Sequence, residues 1–161
     1  MSEIVVREIG FADPRVQALV EQALTEMGQR YGGSGDDTPV ALTDFDPPAG
    51  RFFAAADGDR LVGCAGWRRH GTDAELKRMF TIRAARGRGI ARMLLAAIEE
   101  SARAAGLRRV ILETGDKQPE AIGLYESAGY ARIDDFGFYR GQPGVLSYAL
   151  PLETGAVFRD A

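Results

Sequence analysis

The sequence predicts an α/β fold of the α+β kind, a single domain with a mixed sheet and helices on its faces. Two observations carry this. Short segments rich in β-branched and aromatic residues, bounded by Gly, Pro and Asp, read as strands, while longer segments repeat apolar residues at helical spacing. Their order is β, α, a meander of strands, then α, β, α, β, β, which suits helices on a mixed sheet and not a doubly wound parallel one.

The elements follow in chain order. EIVVREI (3–9) is a β-branched strand. Asp13 before Pro14 is a helix start, with the acid at the cap and proline at the first helical position. Val16, Leu19, Val20, Ala23, Leu24 and Met27 then recur at helical spacing until Gly28 to Tyr31. Residues 32–50 form a long loop of Gly, Pro and acids, a length that is often functional inside a compact domain. Segments 51–57 and 60–70 flank Gly58-Asp59 and read as a hairpin, with 74–82 as a third antiparallel strand. Ile90, Leu94 and Ile98 step by four residues, with Met93 and Ala97 beside them, in a helix that Gly106 ends. RRVILET (108–114) has the look of a buried strand, 119–129 of a helix with proline in its first turn, and GYARI with VLSYALPL (145–152) of a closing strand pair. The domain is expected over 1–152, with 153–161 as a loose tail.

Composition narrows the function classes. The chain has 161 residues, 45% apolar and 27% charged, enough to bury a core without staples. No apolar run is long enough to span a membrane, and the acidic N-terminus has no leader pattern, so the expectation is a cytoplasmic protein with no membrane partner. Cys64 and His70 are each the only residue of their type, which argues against a disulfide framework, a metal site or a Ser-His-Asp hydrolase. A net charge of −3 argues against broad nucleic-acid binding. Cys64 reads as a small buried hydrophobe, Trp67 as core or pocket wall, and His70 as solvent-facing.

Against this acidic background, residues 81–92 stand out. A strand runs into RAARGRG and then directly into a helix, with Arg83, Arg86, Arg88 and Arg92 clustered there. The first N–H groups of a helix have no partner within it and carry partial positive charge. Gly87 and Gly89 let the backbone approach a ligand closely. Such a nest suits phosphate oxygens, and Arg86 and Arg88 offer planar charged donors. The anion expected here is a phosphate, foremost a diphosphate. No P-loop occurs, and the dinucleotide fingerprint fails because Arg92 stands where its third glycine is needed.

RGRGIA (86–91) resembles the R/Q-x-x-G-x-G/A signature of the GNAT superfamily of acetyl-CoA-dependent N-acetyltransferases. QPEAIGLYESAGY (118–130) is similar to that family's N-x-x-A-x-x-LY-x-x-x-GF motif, and the spacing back to the strand at 79–81 also fits. The resemblance covers roughly 3–150. It implies a central sheet of about six to seven strands, splayed between two parallel strands and flanked by about four helices. It implies acetyl-CoA as cosubstrate, its pantetheine arm in the split against backbone groups of Met79, Phe80 and Thr81. Its diphosphate would lie on Arg86, Gly87, Arg88, Gly89, Ile90, Ala91 and Arg92, and Gln118 would donate to the cofactor. Gln118 stands where the family has asparagine; Thr81 and Arg83 replace its valine and proline, and Tyr130 its phenylalanine.

Acetyl transfer to an amine needs a base for the amine, polarisation of the thioester carbonyl and an acid for the leaving thiolate. By position Tyr125 resembles the family's general acid, and a backbone N–H on the 79–81 strand its oxyanion donor. Glu75, eleven residues before Arg86, resembles the base of the histone-acetylating branch. Glu113, five residues before Gln118, resembles that of the ribosomal-protein-acetylating branch. Glu75 is favoured slightly, alternation placing it on one face with Lys77, Met79 and Thr81; a water relay from either remains open. The acceptor is expected where the 31–50 loop, the 73–75 turn and the 134–144 loop meet. Acids such as Asp36, Asp37, Asp44 and Asp46 would attract a cationic amine; Arg68 or Arg140 could instead clamp a carboxylate. ARIDDFGFYRGQP resembles a small-molecule-acetylating subgroup, which favours an amino acid or small amine over a protein tail. A non-catalytic acyl-CoA-binding module is the rival reading. The chain could act as monomer or homodimer.

Overall fold

A computed structural model describes residues 3–153; the expected tail beyond 153 lies outside the described residues. The elements are β1 (Ile4–Glu8), α1 (Pro14–Tyr31), β2 (Gly50–Asp57), β3 (Arg60–His70), β4 (Asp73–Thr81), a 3-10 turn (Arg83–Ala85), α2 (Ile90–Ala104), β5 (Arg109–Gly115), α3 (Pro119–Ser127), β6 (Ala131–Arg132) and β7 (Val145–Pro151). This is the order that the sequence predicts. The described helices are three, with the 3-10 turn as a short fourth.

Local chemistry explains the boundaries. Asp13 caps α1 by accepting from the Arg15 N–H at 2.9 Å, and Pro14 occupies the first turn, where its missing N–H costs nothing. Val16, Leu19 and Val20 of α1 are buried against the sheet. Ile90, Leu94, Leu95, Ile98 and Ala102 form the buried stripe of α2, whereas Met93 is exposed. Trp67 is core, its indole N–H donating to Ser101 Oγ at 2.9 Å, and Cys64 is buried, its thiol pushed up to about 12 by loss of solvent. His70 is exposed, with Phe136 edge-on at 5.4 Å.

All seven strands join one sheet in the order β1-β2-β3-β4-β5-β7-β6. Every neighbouring pair is antiparallel except β4 and β5, which are parallel and matched only at Ala74 with Val110 and Glu75 with Ile111. Beyond those two pairs the strands separate, so the sheet has a closed end and an open one. Asp73 locks the closed end by accepting from Arg109 Nη2 at 2.8 Å and Nε at 3.2 Å, and Arg108 N–H donates to Thr72 O at 2.8 Å.

A bulge in β4 changes the side-chain pattern. Gly66 pairs with Lys77, yet Cys64 pairs with Phe80, so β4 carries one extra residue there. Arg78 takes up the distortion at φ 61°, the only non-glycine residue with positive φ among the described residues. The face that holds Glu75 and Lys77 therefore continues with Phe80, and not with Met79 and Thr81 as simple alternation predicts.

Candidate active site

The open end of the split leads into a cavity of about 380 Å³. Its walls come from α1 (Leu24, Met27, Tyr31), β4 (Leu76 to Phe80), β5 (Leu112 to Gly115), α3 and its N-cap (Tyr125, Gln118), Gly35 and Asp36 of the long loop, and the 139–145 region. Sequence reasoning named β4, β5 and the two loops; it did not foresee that the inner side of α1 would line the same space.

The cationic turn sits beside this opening. Gly87 and Gly89 have φ of 85° and 78°, and a Cβ built at either meets nothing within 4 Å. The first bond of the α2 ladder runs from Met93 N–H to Gly89 O, so the amides of Gly89, Ile90, Ala91 and Arg92 stand ahead of it. Gly89 caps α2 in the left-handed conformation without a side-chain cap. An open, positively polarised rim of backbone donors is the geometry a diphosphate needs.

The guanidinium groups are engaged elsewhere. Arg86 donates through Nη2 to both carboxylate oxygens of Glu26, at 2.8 and 3.0 Å, and through Nε to Thr81 O at 3.0 Å, while its face lies over the Phe80 ring. Arg88 donates to Asp57 at 2.9 Å, and Arg92 to Ser127 Oγ on α3. Glu26 on α1 and Asp57 at the end of β2 are the anions they meet. Arg86 thereby ties the turn to α1, and the donors that the turn leaves ahead of the α2 ladder are main-chain N–H groups.

The two candidate bases differ in environment. Glu75 is buried and accepts from Arg68 Nε at 3.1 Å; Arg68 also donates to Asp44 and to Pro39 O, both at 2.8 Å. Glu75 is not among the residues of the cavity wall. Glu113 does line the wall, accepts from Tyr139 N–H at 3.1 Å through Oε2, and has its Oε1 buried with no partner. Burial raises the Glu113 carboxyl above its ordinary value, partly offset by the Tyr139 amide and the Lys77 charge. Gly137 allows the late loop to close over it, since a Cβ there would lie 2.6 Å from the carboxyl carbon.

Tyr125 is buried, lines the cavity, and has no hydrogen-bond partner for its hydroxyl among the described residues; burial pushes its phenol far up, so it stays protonated. The neighbouring Tyr130 and Tyr148 hydroxyls are occupied by Glu99 and Glu126. Gln118 caps α3 without a side-chain bond and also lines the cavity.

Asp36 is the residue whose role the sequence hid. Its Oδ2 accepts from Arg78 Nη1 at 2.7 Å, and its Oδ1 accepts from the Tyr139 hydroxyl at 2.6 Å and from Thr38 N–H at 3.0 Å. Lys77 Nζ lies 3.7 Å away and donates to Thr38 Oγ1 at 3.2 Å. Burial works against the Asp36 charge, but Lys77 and the Thr38 and Tyr139 hydroxyls outweigh it and hold the carboxyl well below its ordinary range. Burial also lowers the Lys77 ammonium. Asp36 and Asp44 are thus committed to Arg78, Lys77 and Arg68, and do not form the open acidic lure expected of the loop.

Among the described residues, three buried side-chain polar atoms lack a hydrogen-bond partner: Arg78 Nε, Thr81 Oγ1 and Glu113 Oε1. All three belong to β4 or β5. Buried polar groups are almost always paired, so their concentration on the two parting strands sets the split apart from the rest of the sheet.

The Acetyltransferase (GNAT) family model matches residues 17–130. The chain belongs to the GNAT acetyltransferase family. It is 37% identical over 150 residues to an IAA acetyltransferase of Azospirillum brasilense, covering 92% of this chain and 97% of that one. A solved structure from Klebsiella pneumoniae, named for acyl-CoA N-acyltransferase activity, superposes with a TM-score of 0.77 at 27% identity, covering 93% and 98% of the two chains. The PaiA N-acetyltransferase of Thermoplasma acidophilum, solved with coenzyme A, shares the fold at a TM-score of 0.71 and 15% identity over 92% and 99% of the chains. This GNAT protein is an acetyltransferase, and the family uses acyl-CoA. Among its described residues no helix is long and apolar enough to cross a membrane, and no cluster of three or more His, Cys, Asp or Glu could hold a metal ion.

Proposed function

We propose that the protein transfers an acetyl group from acetyl-CoA to the primary amine of a small molecule, with Glu113 as base and Tyr125 as acid. The observation that carries this is the unpartnered Glu113 Oε1 on the open strand, on a residue that lines the same cavity as Tyr125.

The residues present fit acetyl-CoA. The amides from Gly87 to Arg92 would hold its diphosphate, with glycines at the two positions of positive φ that L side chains rarely adopt. Backbone groups of Met79 and Thr81, with Phe80, Thr81 Oγ1 and Gln118, would take its pantetheine arm. When bound, it supplies an activated thioester carbonyl. The chain's own residues then move protons. An amine attacks only as the free base, so the ammonium must first lose a proton, and Glu113 accepts it directly or through one water. Glu113 is preferred to Glu75 because Arg68 already holds the Glu75 carboxylate. The raised Glu113 carboxyl brings the base closer to working pH. Tyr125, kept protonated by burial, gives its proton to the departing sulfur. The apolar side of the cavity, Leu24, Met27, Leu76 and Leu112, excludes water from the reaction. A cavity of this size suits a small acceptor better than a folded protein surface.

A panel of primary amines scored for release of free thiol from acetyl-CoA tests the proposal. At least one small amine is expected to release it well above the blank, and Tyr125→Phe is expected to lower turnover about 10²-fold with acetyl-CoA affinity unchanged. Silence across the panel while acetyl-CoA still raises Tm, or full turnover in Tyr125→Phe, would overturn it.

A further inference from the structure

The unpartnered Arg78 Nε is not used by the transfer chemistry. Arg78 lies on the cavity wall, its side chain only 8% exposed, at the one strained non-glycine position of the described backbone. Positive φ is costly for a long side chain and persists where the surroundings demand it. Here the bulge turns the Arg78 carbonyl toward the Cys64 thiol, which donates to it at 3.4 Å.

Asp36 satisfies only part of this guanidinium. Its Oδ2 takes Nη1, and its Oδ1 is filled by Thr38 and Tyr139, which leaves nothing for the Nε–H. Lys77 lies beside it, equally buried, with a hydroxyl as its nearest partner and Asp36 at 3.7 Å. Two residues of the cavity wall thus keep buried, unmet groups of opposite kind. Glu113 Oε1 lacks a donor, and Arg78 Nε–H lacks an acceptor.

Resting on the transfer reading above, we infer that the acceptor is an amino-acid-like molecule, a primary amine carrying a carboxylate or carboxamide oxygen that Arg78 receives while Glu113 faces the nitrogen. A plain alkylamine would leave the Arg78 donor buried and unpaired, and sites built around a polar group discriminate strongly against analogues that lack it. A polyamine would add a second cation to a wall that already holds Lys77 and Arg78. Arg78 is on this view a specificity-determining residue, with Asp36 fixing its orientation.

The test compares matched acceptors on the full chain: several amino acids, their primary amides, the alkylamines that remain when the carboxyl carbon is removed, and spermidine. The readout is kcat/KM for thiol release. Oxygen-bearing acceptors are expected to exceed their alkylamine partners at least 10-fold. The acid and amide arms show whether charge or only a carbonyl is read. Arg78→Gln is expected to shrink that ratio below about threefold, mainly through KM. Should this variant not fold, the Asp36→Asn/Arg78→Gln pair, which removes both charges together, is read in its place. Alkylamines or spermidine performing as well as the oxygen-bearing set would overturn the inference, as would an unchanged ratio in the variant. If no acceptor releases thiol, the transfer reading fails separately, and Tm with coenzyme A present decides this one. Shifts confined to oxygen-bearing compounds support it; equal shifts, or none, overturn it.

Discussion

The two ends of the β4–β5 pair are built from the same kinds of residue and behave in opposite ways. At the closed end Asp73 is paired with Arg109 and Glu75 with Arg68, and the Arg108 amide donates to the Thr72 carbonyl. A few residues further on, Arg78, Thr81 and Glu113 keep buried polar atoms without partners. Glu75 at the closed end and Arg78 at the open one are both less than a tenth exposed, so burial alone does not separate them. Backbone geometry does. Where the strands are in register, side chains reach one another; where the Arg78 bulge and the parting strands break register, they face a cavity. A buried polar group left without a partner costs roughly 1–3 kcal/mol, so the open end contributes less to stability than the paired closed end.

That contrast can be broken most severely at Glu113. Glu113→Gln should lower turnover by about 10²–10⁴-fold, the range for loss of a general base. Its effect on stability should have the opposite sign. The folded carboxyl lies above its unfolded value, so the charged form costs stability once the pH rises through the folded value, and the cost is absent below the unfolded value of about 4.3. Melting curves should show Glu113→Gln slightly more stable than wild type at neutral pH, with the difference vanishing under acid. Equal or lower stability at neutral pH would contradict the idea of an uncompensated carboxylate.

Asp36 is the next largest. It is the close counter-charge for two cations whose side chains are each 8% exposed, and removing one partner of a buried ion pair typically costs about 3–5 kcal/mol. Asp36→Asn should fall near the lower end, because Asp36 is itself partly open to solvent. The folded carboxyl lies below its ordinary value. The wild-type advantage in urea denaturation should therefore be complete above pH about 4 and be lost as the pH falls toward the lower folded value. The smallest effect is expected at the closed end. Asp73→Asn weakens a pair whose arginine is 41% exposed, so the loss should stay within about 1 kcal/mol, and thiol release should be unchanged. A large activity loss there would show that the closed end governs the width of the open one.

Much of this was legible in the sequence because it is encoded locally. Asp13-Pro14, the Gly58-Asp59 hairpin and the α2 stripe of Ile90, Leu94 and Ile98 each declare themselves within a few residues. The RGRGIA turn and the Tyr125 helix are equally compact, and it was their resemblance to GNAT motifs that implied a shared split in the sheet. What escaped depends on distant or irregular geometry. The extra residue at Arg78 leaves no periodic trace in AELKRMFT, so alternation put Met79 on the wrong face. Asp36 meets Arg78 and Tyr139 across 42 and 103 residues, and in the sequence it looked like one more acid in a solvated loop. Arg86 was legible as charge, but not as a clamp on Glu26, 60 residues earlier. The choice between Glu75 and Glu113 turned on Arg68, a residue the sequence offered as a substrate clamp.

The joint between β4 and β5 has a mechanical consequence. Four strands lie on one side of it and three on the other, and the two wings are matched at two residue pairs. Such a joint is a pivot more than a plate. Every other rung of the sheet is internal to the β1–β4 wing or to the β5–β7–β6 wing. The room between the wings therefore comes from how few rungs they share, and neither ladder has to melt to provide it.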